Sequence, residues 1–99
     1  MGARFEVREV IRFTARRKVA VAGRVLDGIA RSGQTIRFKL PDGLGWSTRI
    51  ASVEIVDRIF SGESLIGLLC DEQDPREAAL YAELCPPGTV VELIDAAAV

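Results

Sequence analysis

Val21-Ala22-Gly23-Arg24-Val25-Leu26-Asp27-Gly28-Ile29-Ala30-Arg31-Ser32-Gly33-Gln34-Thr35-Ile36 is a strand, two closely spaced turns and the start of a second strand. Val19, Val21 and Val25 recur with period two, the spacing of a strand with one buried face. Gly23 falls in the same row, where a glycine marks a bulge or a close backbone approach. Asp27-Gly28 and Ser32-Gly33 are turn signals five residues apart. Ile36, Phe38 and Leu40 then alternate with Arg37 and Lys39, so residues 34–40 read as the next strand.

The rest of the chain repeats this rhythm. Phe5, Val7, Ile11 and Phe13 alternate with Arg4, Glu6, Arg8 and Arg12, predicting a strand over 5–13. Glu9 and Val10 break the alternation, which a β-bulge would explain. Arg16-Arg17-Lys18 reads as a charged turn, and Pro41-Asp42-Gly43 as a turn with set backbone preferences. Residues 46–57, from Trp46, form a β-branched strand in which Ser52 is a candidate corner. Ser61-Gly62-Glu63 is a turn. Leu65-Ile66-Gly67-Leu68-Leu69-Cys70 is apolar on both faces and predicts a covered strand. One helix is expected over 74–84. Asp74 is placed to cap it, Pro75 suits its first position, and Glu77 has capping-box spacing. Leu80 and Leu84 share one side, with Tyr81 close by. Pro86-Pro87-Gly88 ends it, residues 89–94 form a last strand, and 95–99 read as a frayed tail.

Six short strands separated by turns in a chain of 99 residues predict one mainly β domain, a small closed barrel with a short helix before the last strand. Closure would remove the unpaired strand edges that invite aggregation. No run approaches the ~20 apolar residues of a membrane helix. The opening residues show no apolar leader segment. A cytoplasmic protein, with no membrane partner, is the expectation.

The chemistry is sparse. The chain contains no histidine, so Ser-His-Asp and Cys-His arrangements are excluded. Cys70 and Cys85 belong to no C-x-x-C pair, and two cysteines without histidine make a poor zinc set. No metal, no cofactor and no enzymatic activity are expected. Asp71, Glu72 and Asp74 fall in an acidic run just before the helix, where carboxylates favour the helix N-terminus.

Charge is the remaining signal. Net charge is −1, yet residues 1–49 carry eleven Lys and Arg against four acids, and residues 50–99 the reverse imbalance. Alternation aims Arg8, Arg12, Arg24, Arg37 and Lys39 outward from three strands. Neighbouring strands lie about 4.8 Å apart, so these side chains are candidates for a patch that tracks an RNA backbone. A solvated mixed-sign face is the alternative.

The Val21–Ile36 stretch also resembles the second, β-barrel domain of the translational GTPases, among them elongation factor Tu. The spacing of Gly23, Gly28 and Gly33 matches, as does the register of Arg24, Val25, Ile29 and Ile36. Further along, Ile50–Val56, Ser61-Gly62-Glu63, Ile66-Gly67-Leu68-Leu69 and Pro87-Gly88-Thr89-Val90-Val91 resemble the family's later segments in the same order. The likeness spans roughly residues 4–94. It implies a barrel in which Gly23, Gly28, Gly33 and Gly67 determine the fold at turns and crossings. It also implies a surface for tRNA or ribosomal RNA. Departures are Arg16-Arg17-Lys18, where the family often has Gly-Arg-Gly, and the longer helix before the last strand. No G-x-x-x-x-G-K-[ST] occurs, so GTP hydrolysis is not expected of this chain. Two readings follow: a docking module for a protein partner or for itself, and an RNA- or ribosome-binding module.

Overall fold

Among the described residues the alternating stretches become seven strands. They are β1 (Ala3–Phe13), β2 (Lys18–Asp27), β3 (Thr35–Lys39), β4 (Gly45–Arg49), β5 (Ser52–Arg58), β6 (Glu63–Asp71) and β7 (Val90–Ile94), with one helix, α1 (Glu77–Leu84), before the last. The computed structural model describes residues 2–39, 45–58, 63–74 and 76–95; for Lys39, Gly45, Trp46, Asp57, Arg58 and Glu63 it describes the backbone alone. The Pro41-Asp42-Gly43 turn, Leu40, Ser61-Gly62, Pro75 and the tail beyond Asp95 lie outside the described residues.

All seven strands join one antiparallel sheet in the order β4-β3-β7-β1-β2-β6-β5. The fold is therefore mainly β with one short helix, as expected, but among the described residues the sheet is not closed by hydrogen bonds, and β4 and β5 stand at its two edges. The strand count differs, because the predicted strand over 46–57 is divided. Its first part pairs with β3 and its second with β6, at opposite edges of the sheet. The change of partner falls at Ile50–Ala51, one residue before the expected corner at Ser52. The Ile50 N–H donates to the Gln34 carbonyl at 2.8 Å, and the Ala51 N–H donates to the Leu69 carbonyl at 2.7 Å.

One face of the sheet builds the core. Phe5 and Val7 of β1, Val19 and Val21 of β2, Ile36 and Phe38 of β3, Leu68 and Cys70 of β6, and Leu93 of β7 are buried together, with Ile50 at the bend. A fully buried Leu, Val or Phe side chain contributes about 1.5–3 kcal/mol. The helix covers one end of this core. Tyr81 stacks on Phe38 with ring centroids 5.8 Å apart, and Cys85 is buried beside it. Leu80, expected on the buried side, is 43% exposed, because the helix turns Tyr81 and Cys85 inward with Ala78 and Leu84 at their flanks. The helix starts three residues later than expected, though its capping chemistry is present. Glu77 Oε1 accepts from the Asp74 N–H at 2.9 Å, and Asp74 Oδ1 accepts from the Arg76 N–H at 2.8 Å.

The bulge in β1 is real and reverses half the strand. Val7 lies opposite Gly23 and Glu9 opposite Ala22, so Arg8 is the extra residue. A slip of one residue moves every later side chain to the other face. Val10 and Arg12 therefore stand opposite the core residues Val21 and Val19. Ile11 and Phe13, expected inside, are on the far face. Beyond β1, Arg17 has φ 52°, the left-handed conformation that favours glycine.

Gly28 and Gly33 are turns with φ of 81° and 89°. Gly23 and Gly67 are not turns; each sits within a strand where a Cβ would collide, at 1.9 Å from the Glu6 carbonyl oxygen and 2.7 Å from a Val56 methyl. At Gly28 a Cβ would lie within 2.8 Å of Gly2 and Ala3. At Gly33 no atom lies within 4 Å of that position. Gly28→Val should therefore cost roughly 2–4 kcal/mol and Gly33→Ala only about 1 kcal/mol, since strain acts at both sites and crowding at one. Urea unfolding of both variants checks this, and equal losses would contradict it.

Candidate functional site

Cross-strand register places the charged side chains of the outer face in rows. Residues directly opposite on neighbouring strands share a face. Arg37 on β3 lies opposite Glu92 on β7, Glu92 lies opposite Arg4 on β1, and Arg4 lies opposite Asp27 on β2. That row alternates in sign. Arg4 Nε donates to Asp27 at 2.6 Å, and the Arg37 guanidinium stands 3.7 Å from Glu92. A second row lies one pleat along, about 6.7 Å away. There Arg24 lies opposite Glu6, and Glu6 takes contacts at 3.2 Å from both Arg24 and Arg8.

Three of the five candidate RNA contacts, Arg8, Arg24 and Arg37, thus share one face, each beside a carboxylate. Lys39 continues β3, but its side chain is outside the described residues. Arg12 is not with them. The bulge turns it towards the end of β6, where its Nε and Nη2 hold the Glu72 carboxylate at 2.6 and 2.9 Å. The Glu72 side chain is only 7% exposed. The carboxylates were not foreseen as partners. Glu6, Asp27, Glu72 and Glu92 are ordinary polar positions in an alternating pattern, and strand register, which aligns them with arginines, is not written in any single strand.

A further ion pair lies near the bend. Arg16 binds Glu54 with two hydrogen bonds of 3.0 and 2.6 Å, and its guanidinium sits 5.8 Å from the centre of the Phe13 ring. Lys18 pairs with Asp71. The hydrogen bonds from Arg16 hold the Glu54 carboxyl below the usual range, and those from Arg12 do the same for Glu72. Arg76 holds Asp74 down to about 2.

The nucleophile candidates are withdrawn from solvent. Cys70 and Cys85 are free thiols, both buried. Burial pushes Cys70 up to about 11 and Cys85 to about 12, so both remain protonated at neutral pH. Burial also raises Tyr81 to about 12, and its hydroxyl lies 3.3 Å from both Thr48 Oγ1 and Glu77 Oε2. Among the described residues no three Cys, Asp or Glu side chains gather as a metal group, and no helix is long and apolar enough to cross a membrane.

Protein-family models, characterised proteins and solved structures yield no match to this chain. Its surface must be read on its own geometry.

The Arg12–Glu72 pair gives that geometry a measurable sign. A carboxyl held below its unfolded value, about 4.3 for Glu, stabilises the fold above that value. The contribution fades as pH falls through the lower folded value. Glu72→Gln should therefore lower Tm near pH 7, and its melting curve should converge with that of the parent protein in acid. A Tm difference that stays constant with pH would assign the loss to packing instead of charge.

Proposed function

We propose that this chain is a β-barrel of the translation-factor second-domain kind that acts without catalysis, in the cytoplasm, as a docking module for a protein partner or a second copy of itself. The bend at Ile50–Ala51 supports the barrel reading. Through it, two residues carry the chain directly from one edge strand, β4, to the other, β5. The glycine spacing supports the same kinship, with Gly28 and Gly33 at positive φ and Gly23 at the tight crossing.

The observation that carries the docking reading is the pairing of the outward arginines. A phosphate backbone binds through cations that it can neutralise. Here Arg4, Arg24, Arg37 and Arg8 already lie against Asp27, Glu6 and Glu92. An alternating face of this sort suits a partner with its own alternating charges, where complementarity selects the partner more than it adds affinity. The RNA reading keeps one point in its favour: around Glu6 two guanidiniums share a single carboxylate.

Two measurements separate these readings. Affinity-purified protein from its native lysate should keep its partner after RNase treatment, or sediment as a dimer when alone. Its binding to tRNA should be weak, with little dependence on salt. Affinity that falls by orders of magnitude between about 50 and 200 mM salt, together with loss of the bound material on RNase treatment, would replace docking with RNA binding. In that case Arg8→Glu and Arg24→Glu should each weaken it.

A further inference from the structure

β3 and β7 are paired over only three positions, Thr35 with Ile94, Ile36 with Leu93 and Arg37 with Glu92. Past that point each strand keeps its other neighbour. Phe38 continues opposite Trp46 on β4, and Val91 opposite Phe5 on β1. The two strands part between Phe38 and Val91, and a cavity of about 200 Å³ opens there. Phe38, Val91 and Leu84 of α1 give it an apolar lining, and Val90 at its wall is 49% exposed. Arg4, Arg37 and Glu92 complete the wall on the outer face.

We propose that this cleft binds a carboxylate carried on an apolar stem. The stem enters between β3 and β7 and covers Val90, Val91, Phe38 and Leu84. The carboxylate meets the Arg37 guanidinium, with Arg4 as the second positive charge. Two guanidiniums and one carboxylate in the wall favour an anion over a cation. Arg37 is the more available of the two. Its contact with Glu92 at 3.7 Å is longer than a hydrogen bond, whereas Arg4 is held to Asp27 at 2.6 Å. A guanidinium fork matches a carboxylate with two parallel hydrogen bonds, a geometry an ammonium cannot supply. The volume sets the size of the stem. It is below the ~300–1,000 Å³ of sites for drug-sized ligands, so it accepts one side-chain-sized group and not a nucleotide. The same chemistry is offered by a small aromatic or aliphatic acid and by the last residue of a protein chain. The proposal stands apart from the docking reading, since a free acid would satisfy it.

Backbone and arginine side-chain N–H signals of the whole protein, followed by NMR, test this. The probes are 3-phenylpropanoate, its amide, and acetyl-Gly-Gly-Phe with a free or an amidated end. Saturable shifts are expected at Arg37, Val90, Val91 and Glu92, with each amide at least tenfold weaker than its acid. Arg37→Gln, an exposed position, should weaken the acids at least tenfold and leave the rest of the spectrum in place. Val90→Trp, which fills the mouth, should abolish the shifts. A peptide acid binding tenfold tighter than 3-phenylpropanoate would identify a chain terminus as the source, and the reverse order a free acid. Absent or unsaturable shifts, equal binding of acid and amide, or an unaffected Arg37→Gln variant would each overturn the proposal.

Discussion

The arrangement depends on how closely β2 passes β1 at Gly23. A Cβ there would lie 1.9 Å from the Glu6 carbonyl oxygen and 3.1 Å from the Arg8 nitrogen, so only glycine fits. The same crossing contains the β1 bulge, with Arg8 as its extra residue. Bulges bend a strand and increase its twist, and here the bend lets β1 serve two purposes. Its first half presents Phe5 and Val7 to the core and pairs with β7. Its second half turns Val10 towards the core and sends Arg12 to Glu72. The strand is also fixed from its other side, because the Val7 N–H donates to the Thr89 carbonyl and the Gly88 N–H donates to the Val7 carbonyl. Gly23, the bulge and the turn before β7 therefore act as one joint.

That joint explains what was legible in the sequence and what was not. Period-two alternation needs only local sterics and burial, so the strand positions could be read directly. The turns at Gly28 and Gly33 were equally local, since glycine tolerates positive φ at no steric cost. The bulge was visible as the broken alternation at Glu9 and Val10. Its consequence was not, because the facing of Ile11, Arg12 and Phe13 depends on which residue is extra. The helix shows a similar division. Glu77 and Asp74 announced its start through local hydrogen bonds. The buried side was decided by the stacking of Tyr81 on Phe38, a contact across 43 positions of the chain.

The candidate surface was half legible for the same reason. The outward direction of Arg24 and Arg37 follows from alternation. Their partners follow from register between strands distant in sequence, such as Arg37 with Glu92 and Arg4 with Asp27. The charge imbalance between the two halves of the chain suggested a basic face. In the folded sheet β7 from the acidic half lies between β1 and β3 from the basic half, which interleaves the two signs. Arg12–Glu72, Lys18–Asp71 and Arg16–Glu54 repeat this pattern, each joining a cation of the first half to an acid of the second.

Such pairing changes what the surface can do. Exposed ion pairs contribute little stability individually, about 0–1 kcal/mol, so their main effect here is on recognition. A row that alternates in sign has a weak far field, because opposite charges a few ångströms apart cancel beyond the ~8 Å screening length of physiological salt. Long-range steering towards a polyanion is correspondingly small. At contact distance the same row is strongly patterned, and it discriminates by matching charge to charge. The least satisfied member of the pattern is Arg37, and it stands where β3 and β7 separate over apolar side chains. Adjoining strands that stay paired to different outer neighbours leave such a gap as a matter of geometry. The placement of a loosely held guanidinium at its mouth gives the gap a chemical preference that the fold alone does not supply.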